Sequence, residues 1–384
     1  MKKIGVVNFH YSNNNYGAVL QAAAIASILE QKGFDAEHID YIPYENTKRV
    51  PLKIKIRHLI ILFLDIIKVK SIIKKLRGDK IYIKDDVCGN QIFEDFRNKW
   101  IKRTEETYHS SDNLAKIEND YDAIIVGSDQ VWRPRMYVNP YSDVYAYFLQ
   151  FAGSKTKKIS YAASFGVERW ETSLDDLITR DVTTAISSFD SISVREKSGV
   201  SICSEQFNVE ATHVIDPTLL AGTDFFNKVI EEANIETKSD NLVYYKLDSN
   251  KLFLNRISQI ANSFNVDIEN IYYNSTPSGY EYNSVPLWLS KIKNSKLVVT
   301  DSFHCVCLAI LFEKDFICIG NSERGLARLK SLLSQLNIED RLIEDEIDFA
   351  KTYFKLESID YENVNQILCE LRISSSNFLF KALG

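Results

Sequence analysis

The chain has 384 residues, a net charge of −6, 45% hydrophobic and 26% charged residues. That length exceeds one ordinary domain and predicts two, and the composition is globular rather than disordered or fibrous. The acidic balance argues against a nucleic-acid binder, whose surface carries a basic surplus, so any anion site must be local.

Ile4–Phe9 reads as a buried strand, followed by the polar loop HYSNNNYG. Ala18–Lys32, rich in Ala, Leu and Gln, predicts a helix stopped by Gly33, and Glu37–Ile42 predicts the next strand. This βαβ opening favours a parallel sheet with helices on its faces. The loop lacks G-x-G-x-x-G, so the dinucleotide fingerprint is absent. Lys53–Lys80 carries nine Lys or Arg against two acids around the apolar run LIILFLDII. It reads as a helical excursion with a solvated basic face, or as a helix lying on an anionic membrane surface. Strands then end in turn after turn of polar residues. Asp122–Val126 leads into GSDQVW, Lys158–Ala163 into SFG, Ser191–Val194 into Arg195 and Glu196, and His213–Ile215 into DPTLL. One polar strand end is ordinary turn chemistry. Asn8, Ser128, Asp129, Gln130, Ser164, Arg195 and Asp216, at five successive ends, predict a shared cleft, because ligands sit outside the carboxyl ends of a doubly wound sheet.

After Pro217 the alternation restarts. Strands are expected at Leu242–Leu247, within Val266–Tyr273, at Leu297–Thr300 and at Phe316–Ile319. Helices are expected at Lys251–Phe264, Pro286–Lys293, Phe303–Phe312 and Arg324–Leu336, with a mostly helical tail to Gly384. The expected fold is α/β, two Rossmann-like domains facing each other across a cleft. The first spans residues 1–216, with a basic helical insertion near 53–110, and the second 217–384 with the tail.

The segment TDSFHC places a histidine where a buried strand meets a helix. Ser302 or Asp301 can cap that helix, and His304 falls in its first turn. A helix amino terminus favours neutral imidazole, so His304 suits a base, with Asp301 as its orienting partner. A buried histidine bonded to a backbone carbonyl is the alternative. Arg195, in SVRE, suits a carboxylate or phosphate in the cleft, or an ion pair with Glu196 or an acid on a neighbouring loop. Arg324 and Arg328 share a helix face in the first turns, where the macrodipole disfavours cations. A bound anion resolves that conflict, and so does pairing with Glu323. Asp129 and Gln130 in GSDQVW can bind sugar hydroxyls or cap their turn.

The six cysteines include no C-x-x-C pair, and Cys305 and Cys307 read as core. No H-x-H or H-x-x-x-H spacing suggests a metal, and no cofactor is expected. The amino-terminal apolar run is too short for a signal peptide, and no run reaches the ~18 residues a membrane span needs, so the chain reads as cytoplasmic.

Taken in order, NNYGAVLQAAAI, YDAIIVGSDQVW, SYAASFG, SVRE, VIDPTLL, VVTDSFHCVCLAILF and ERGLARLKSLL resemble the polysaccharide pyruvyl transferase family, from about residue 14 to 333. The resemblance implies a fold similar to the two-domain GT-B glycosyltransferases. It implies transfer of pyruvate from phosphoenolpyruvate to a sugar, giving a cyclic ketal and phosphate. The acceptor would be a cell-surface polysaccharide or its lipid-linked precursor at the inner membrane face, with Lys53–Lys80 as a membrane contact. The family's histidine falls on His304, its VRE arginine on Arg195, and a later basic residue on Arg324 or Arg328. Asn15, Tyr16, Gly17, Ser128, Asp129, Gln130, Ser164 and Ser302 fall within the matching motifs and are expected to bind substrate, with Asp301 catalytic beside His304. Where the family usually has Gly after the histidine, this chain has Cys305, a side chain expected to narrow the cleft or alter the choice of acceptor. A glycosyltransferase using a nucleotide sugar and a non-catalytic carbohydrate-binding relative are the other readings of such a fold.

Overall fold

The computed structural model describes the chain apart from residues 1, 44–86, 138–139, 172–175, 236, 238–239, 247–248, 278, 321–324 and 345–348. The basic stretch Lys53–Lys80 and Arg324 therefore lie outside the described residues.

Two parallel sheets organise the molecule. The first contains β1 (Lys3–Val7) and β2 (Asp35–His38). After the short β3 (Val87–Cys88), which belongs elsewhere, it continues with β4 (Ala123–Val126) and β5 (Lys157–Ser160) in the order β2-β1-β4-β5. Bridges Ile159–Ser191 and Ala163–Val194 extend it to β6 (Ser193–Val194), which pairs with β7 (Thr212–His213). The second sheet contains β8 (Leu242–Tyr245) and β9 (Ile268–Asn270). A hairpin of β10 (Tyr273–Thr276) and β11 (Gly279–Tyr282) follows and takes β3 as its third strand. The second sheet is completed by β12 (Leu297–Thr300), β13 (Asp315–Ile319) and β14 (Leu342–Ile343), in the order β14-β13-β12-β8-β9. The central strands β4 (AIIV) and β12 (LVVT) are buried throughout, which is why each reads as an unbroken apolar run.

The helix Tyr16–Gln31 joins the two domains. Its sequence, YGAVLQAAAIASILEQ, is apolar on nearly all sides, the pattern of a helix buried on more than one face. Ile25, Ile28 and Leu29 pack with Ile4 and Val6 of the first sheet. Tyr16, Val19, Leu20 and Ala22–Ala24 pack into the core of the second domain, against Phe225, Trp288 and the helix Phe303–Leu311. The alanines let this helix and the helix Pro217–Glu231 approach closely.

The tail departs from expectation. Only the first part of the helix Tyr361–Leu383 stays with the second domain, through Val364 and Leu368. Its far end returns to the first domain, where Leu379, Ala382 and Leu383 pack beside Ile4, Val6 and Ile125. The Ser375 hydroxyl there accepts from the Ile215 amide at 3.1 Å. The tail helix thus packs on both halves of the division into residues 1–216 and 217–384, its far end covering the first sheet. Among the described residues, no helix is long and apolar enough to cross a membrane.

Candidate active site

The carboxyl ends of β1, β4 and β12 face a common cavity of about 610 Å³ between the domains. The first domain contributes Phe9, Tyr11, Asn14, Asn15, Asp129, Gln130 and Arg133, and the second contributes Tyr245, Tyr272, Asp301, Ser302, Phe303, His304 and Arg328. Seven expected site residues therefore meet in one place: Asn15, Asp129, Gln130, Asp301, Ser302, His304 and Arg328.

His304 is positioned as the sequence suggests. The Ser302 hydroxyl caps the helix by accepting from the Cys305 amide at 3.5 Å, which starts the helix and sets the imidazole in its first turn. The ring lies against Gly17, where an added Cβ would stand 2.2 Å from His304 Nδ1. Only glycine fits there, so Gly17 makes room for the ring. On the other edge, His304 Nε2 lies 3.6 Å from Asp216 Oδ2 and 3.5 Å from Arg195 Nη1. The carboxylate beside the Nε2 edge of the imidazole is thus Asp216, brought from the first domain.

Arg195 does not present its fork to the cleft. It is fully enclosed, with Nη1 donating to Asp216 at 2.7 Å and to Ser128 Oγ at 3.2 Å, and Nη2 donating to Asp129 at 2.8 Å. Its guanidinium lies over the Phe303 ring, 4.5 Å from the centroid. Burial alone would lower its pKa, but Asp129 and Asp216 outweigh burial and raise it. Burial pushes the Asp216 carboxyl up, but His304 and Arg195 together hold it well below the usual carboxylate range. Asp129 is likewise lowered against burial by Arg195, His304 and Arg328. Ser128, also enclosed, donates to Asp216 at 2.6 Å.

The neighbouring Glu196 points away from Arg195's partners. Its Oε1 accepts from Ser164 Oγ (3.0 Å) and from the amides of Phe165 (2.8 Å) and Gly166 (2.9 Å), pinning the turn after β5. Burial dominates there and raises its pKa. Gly166 has φ +68°, and a Cβ on it would meet Gln130 Oε1 at 2.1 Å, so this turn seats Gln130. Gln130 in turn accepts from Arg133 Nη1 at 2.9 Å. Ser164 is therefore a support and not a cleft residue. Tyr16 is also corrected. It is fully buried, stacked on Trp288 at 4.8 Å, with its hydroxyl on the Asn283 carbonyl.

Among the described residues, two guanidiniums reach the cavity. Arg328 donates to the Gly325 carbonyl at 3.3 Å and to Asp129 at 3.4 Å. Burial and the charges of Arg195 and Arg133 push its pKa down to about 10, outweighing Asp129, so it stays charged at neutral pH in a field that favours a bound anion. Arg133, held by Glu171 and Gln130, is the second. It was overlooked in the sequence, as were Asp216's contact with His304 and the tyrosines. Arg133 sits among VWRPRM with no periodic signal. Asp216 announces only a helix cap, which it also is, accepting from the Thr218 amide at 2.9 Å.

The cleft loop is secured from behind. His10 Nε2 pairs with Asp40 Oδ1 at 2.8 Å inside the first domain, and Arg97 donates to the carbonyls of His10 (3.3 Å) and Ser12 (2.9 Å). Cys305 is fully buried in the second core, where burial raises its thiol to about 12. It does not narrow the cleft. Among the described residues, no group of three or more His, Cys, Asp or Glu is placed to hold a metal ion.

The model of the polysaccharide pyruvyl transferase family matches residues 15–323. No curated protein sequence matches the chain. Among solved structures, it is similar to the UDP-GlcNAc 2-epimerase of Neisseria meningitidis bound to UDP-GlcNAc, with a TM-score of 0.53 and 11% identity over 99% of this chain and 100% of that one. It is also similar to S. aureus MnaA in its co-structure with UDP, with a TM-score of 0.50 and 12% identity over 98% and 90%. At that identity the likeness concerns the fold alone, two Rossmann-like domains of the GT-B type.

Proposed function

The chain belongs to the polysaccharide pyruvyl transferase family, and from that premise we propose that it moves pyruvate from phosphoenolpyruvate to two hydroxyls of a sugar, forming a cyclic ketal and releasing phosphate. The acceptor in this reading is a cell-surface polysaccharide or its lipid-linked precursor, met at the cytoplasmic face of the membrane. The observation that carries it is the company His304 keeps. One imidazole stands in a cavity that also holds two guanidiniums, Arg133 and Arg328, and a set of hydroxyl-binding groups, Asn15, Asp301 and Ser302.

Phosphoenolpyruvate bears a carboxylate and a phosphate, and planar guanidinium forks suit both. Arg328 and Arg133 would hold these groups. His304 would deliver a proton to the methylene carbon, leaving an oxocarbenium-like centre. The first sugar hydroxyl attacks that centre and gives its proton to the imidazole, restoring it. The second hydroxyl displaces phosphate, which leaves with the second proton. Asp216 and Arg195 act through His304, fixing the ring from inside. No cofactor is needed, since the donor supplies both the carbon unit and the leaving group.

The test is phosphate release from phosphoenolpyruvate in the presence of candidate acceptors, with His304→Ala as control. General acid–base catalysis of this kind contributes roughly 10²–10⁴-fold. Turnover should fall by that factor while the melting temperature stays near wild type. Near-normal turnover in the variant would overturn the role of His304. A melting temperature that rises with uridine diphosphate and not with phosphoenolpyruvate would overturn the donor.

A further inference from the structure

At about 610 Å³ the cavity is within the ~300–1,000 Å³ range that encloses a drug-sized ligand, more than a three-carbon donor requires. A second set of its lining residues differs in chemistry from the arginines. Tyr272, half-buried between β9 and β10, lies beside Tyr245 with ring centroids 5.3 Å apart. Tyr282 (5.5 Å) and Tyr273 (5.6 Å) brace the same ring. Its hydroxyl crosses to the first domain and donates to the Asn14 carbonyl at 3.4 Å. The Tyr272 carbonyl in turn accepts from the Tyr16 hydroxyl at 3.1 Å. The ring is therefore fixed before any ligand enters. Exposed Asn14 and Asn15 stand in the same cavity, and so do Asp301 and Ser302.

A rigid aromatic face beside amides and a carboxylate matches a pyranose. The sugar's C–H face packs on the ring, and its hydroxyls find both donors and acceptors around it. We propose that Tyr272 is the platform on which the acceptor pyranose stacks, with Asn14, Asn15 and Asp301 bonding its hydroxyls. The proposal rests on the pyruvyl-transfer reading for the word acceptor, but the binding itself does not. Tyr272 then sets which sugar is accepted, while the arginines set the donor. A nucleobase could use the same face, so the experiment must separate the two.

Saturation-transfer NMR would be recorded with methyl β-galactopyranoside, methyl β-glucopyranoside, methyl α-mannopyranoside and uridine diphosphate on wild type, Tyr272→Phe and Tyr272→Leu. The leucine keeps apolar bulk among the bracing tyrosines and removes the aromatic face. At least one pyranoside should saturate on wild type and Tyr272→Phe, and its affinity should fall roughly tenfold in Tyr272→Leu, a difference of about 1.4 kcal/mol. The phosphoenolpyruvate-dependent rise in melting temperature should be equal in all three proteins, which also reports that the variants are folded. Equal pyranoside binding in Tyr272→Leu, or none in wild type, overturns the platform and leaves the donor reading standing. Saturation of the uridine ring, lost in Tyr272→Leu, overturns it in favour of a nucleotide. Absence of the phosphoenolpyruvate shift in wild type strikes the donor reading, and the pyranoside result still decides the platform.

Discussion

In the first domain, the arginine at the centre of the site is enclosed and already matched, Arg195 standing between Asp129 and Asp216 with Ser128 beside them. In the second domain, His304 and Arg328 open onto the cavity. A buried ion without a partner costs several kcal/mol, so the enclosed charges had to be paired within the protein. The open ones also have protein partners at 3.4–3.6 Å, and they face the space a substrate would enter. In the proposed reaction, charges of the first kind hold geometry and those of the second kind do the chemistry. Asp129 belongs to both, since it accepts from Arg195 and Arg328 at once.

The sharpest break of that contrast is Asp216→Asn, which keeps the shape and removes the charge facing Arg195 and His304. Breaking a buried pair costs about 3–5 kcal/mol, so the melting temperature should fall by on the order of 10 °C. The pH dependence has a defined sign. Both Asp216 and Asp129 have carboxyls lowered in the folded state. Their contribution is complete above the unfolded value near ~3.9 and is lost as pH falls through the lower folded value. Wild-type stability should therefore decline on the acid side, and the decline should be shallower in the variant. An unchanged melting temperature would show that the enclosed half does not hold the fold.

A smaller and cleaner effect is expected from Gly17→Ala. Alanine suits a helix better than glycine, but its methyl overpacks buried His304 at a cost of about 1–3 kcal/mol, so the melting temperature should fall by a few degrees. The methyl group would collide with His304 Nδ1 and displace the ring. Misplacement by about 1 Å can cost roughly 10²-fold in turnover. Full activity in this variant would mean that the ring's position against the helix is unimportant. The smallest effect is expected from Arg328→Lys, which keeps the charge and loses the fork. Losing one charge-assisted hydrogen bond, about 1.5 kcal/mol, should raise the KM for phosphoenolpyruvate roughly tenfold with kcat and melting temperature little changed.

How much of this was legible follows from what each residue shows locally. β12 and the helix start at Phe303 stand out because LVVT is a continuous apolar run and Ser302 is a cap. The same logic located seven of the cavity residues. It failed for Tyr16, whose polar neighbours Asn14 and Asn15 disguise a side chain aimed at Trp288. For Arg195 it left two readings open, because an arginine at a strand end looks alike whether its acids come from a ligand or, as here, from residues 66 and 21 positions away. The hairpin Tyr273–Tyr282 went unread because its strands are four residues long and its turn, TPSG, interrupts the alternation. Tyr272's place in the cavity depends on that hairpin, so it too was invisible. The crossing of the tail to the first domain has no local signature at all.

That crossing has a consequence for synthesis on the ribosome. Ile4, Val6 and Ile25 emerge early, yet the side chains that cover them include Leu379 and Leu383. At ~5–20 residues per second, roughly ten to thirty seconds separate the completion of β7 from the arrival of those leucines. For that interval the nascent first domain shows an apolar face, and the whole second domain is translated while it waits. The two domains are thus made in an interleaved order, and a chain released short of Leu379 would carry a finished second domain beside an unsealed first one.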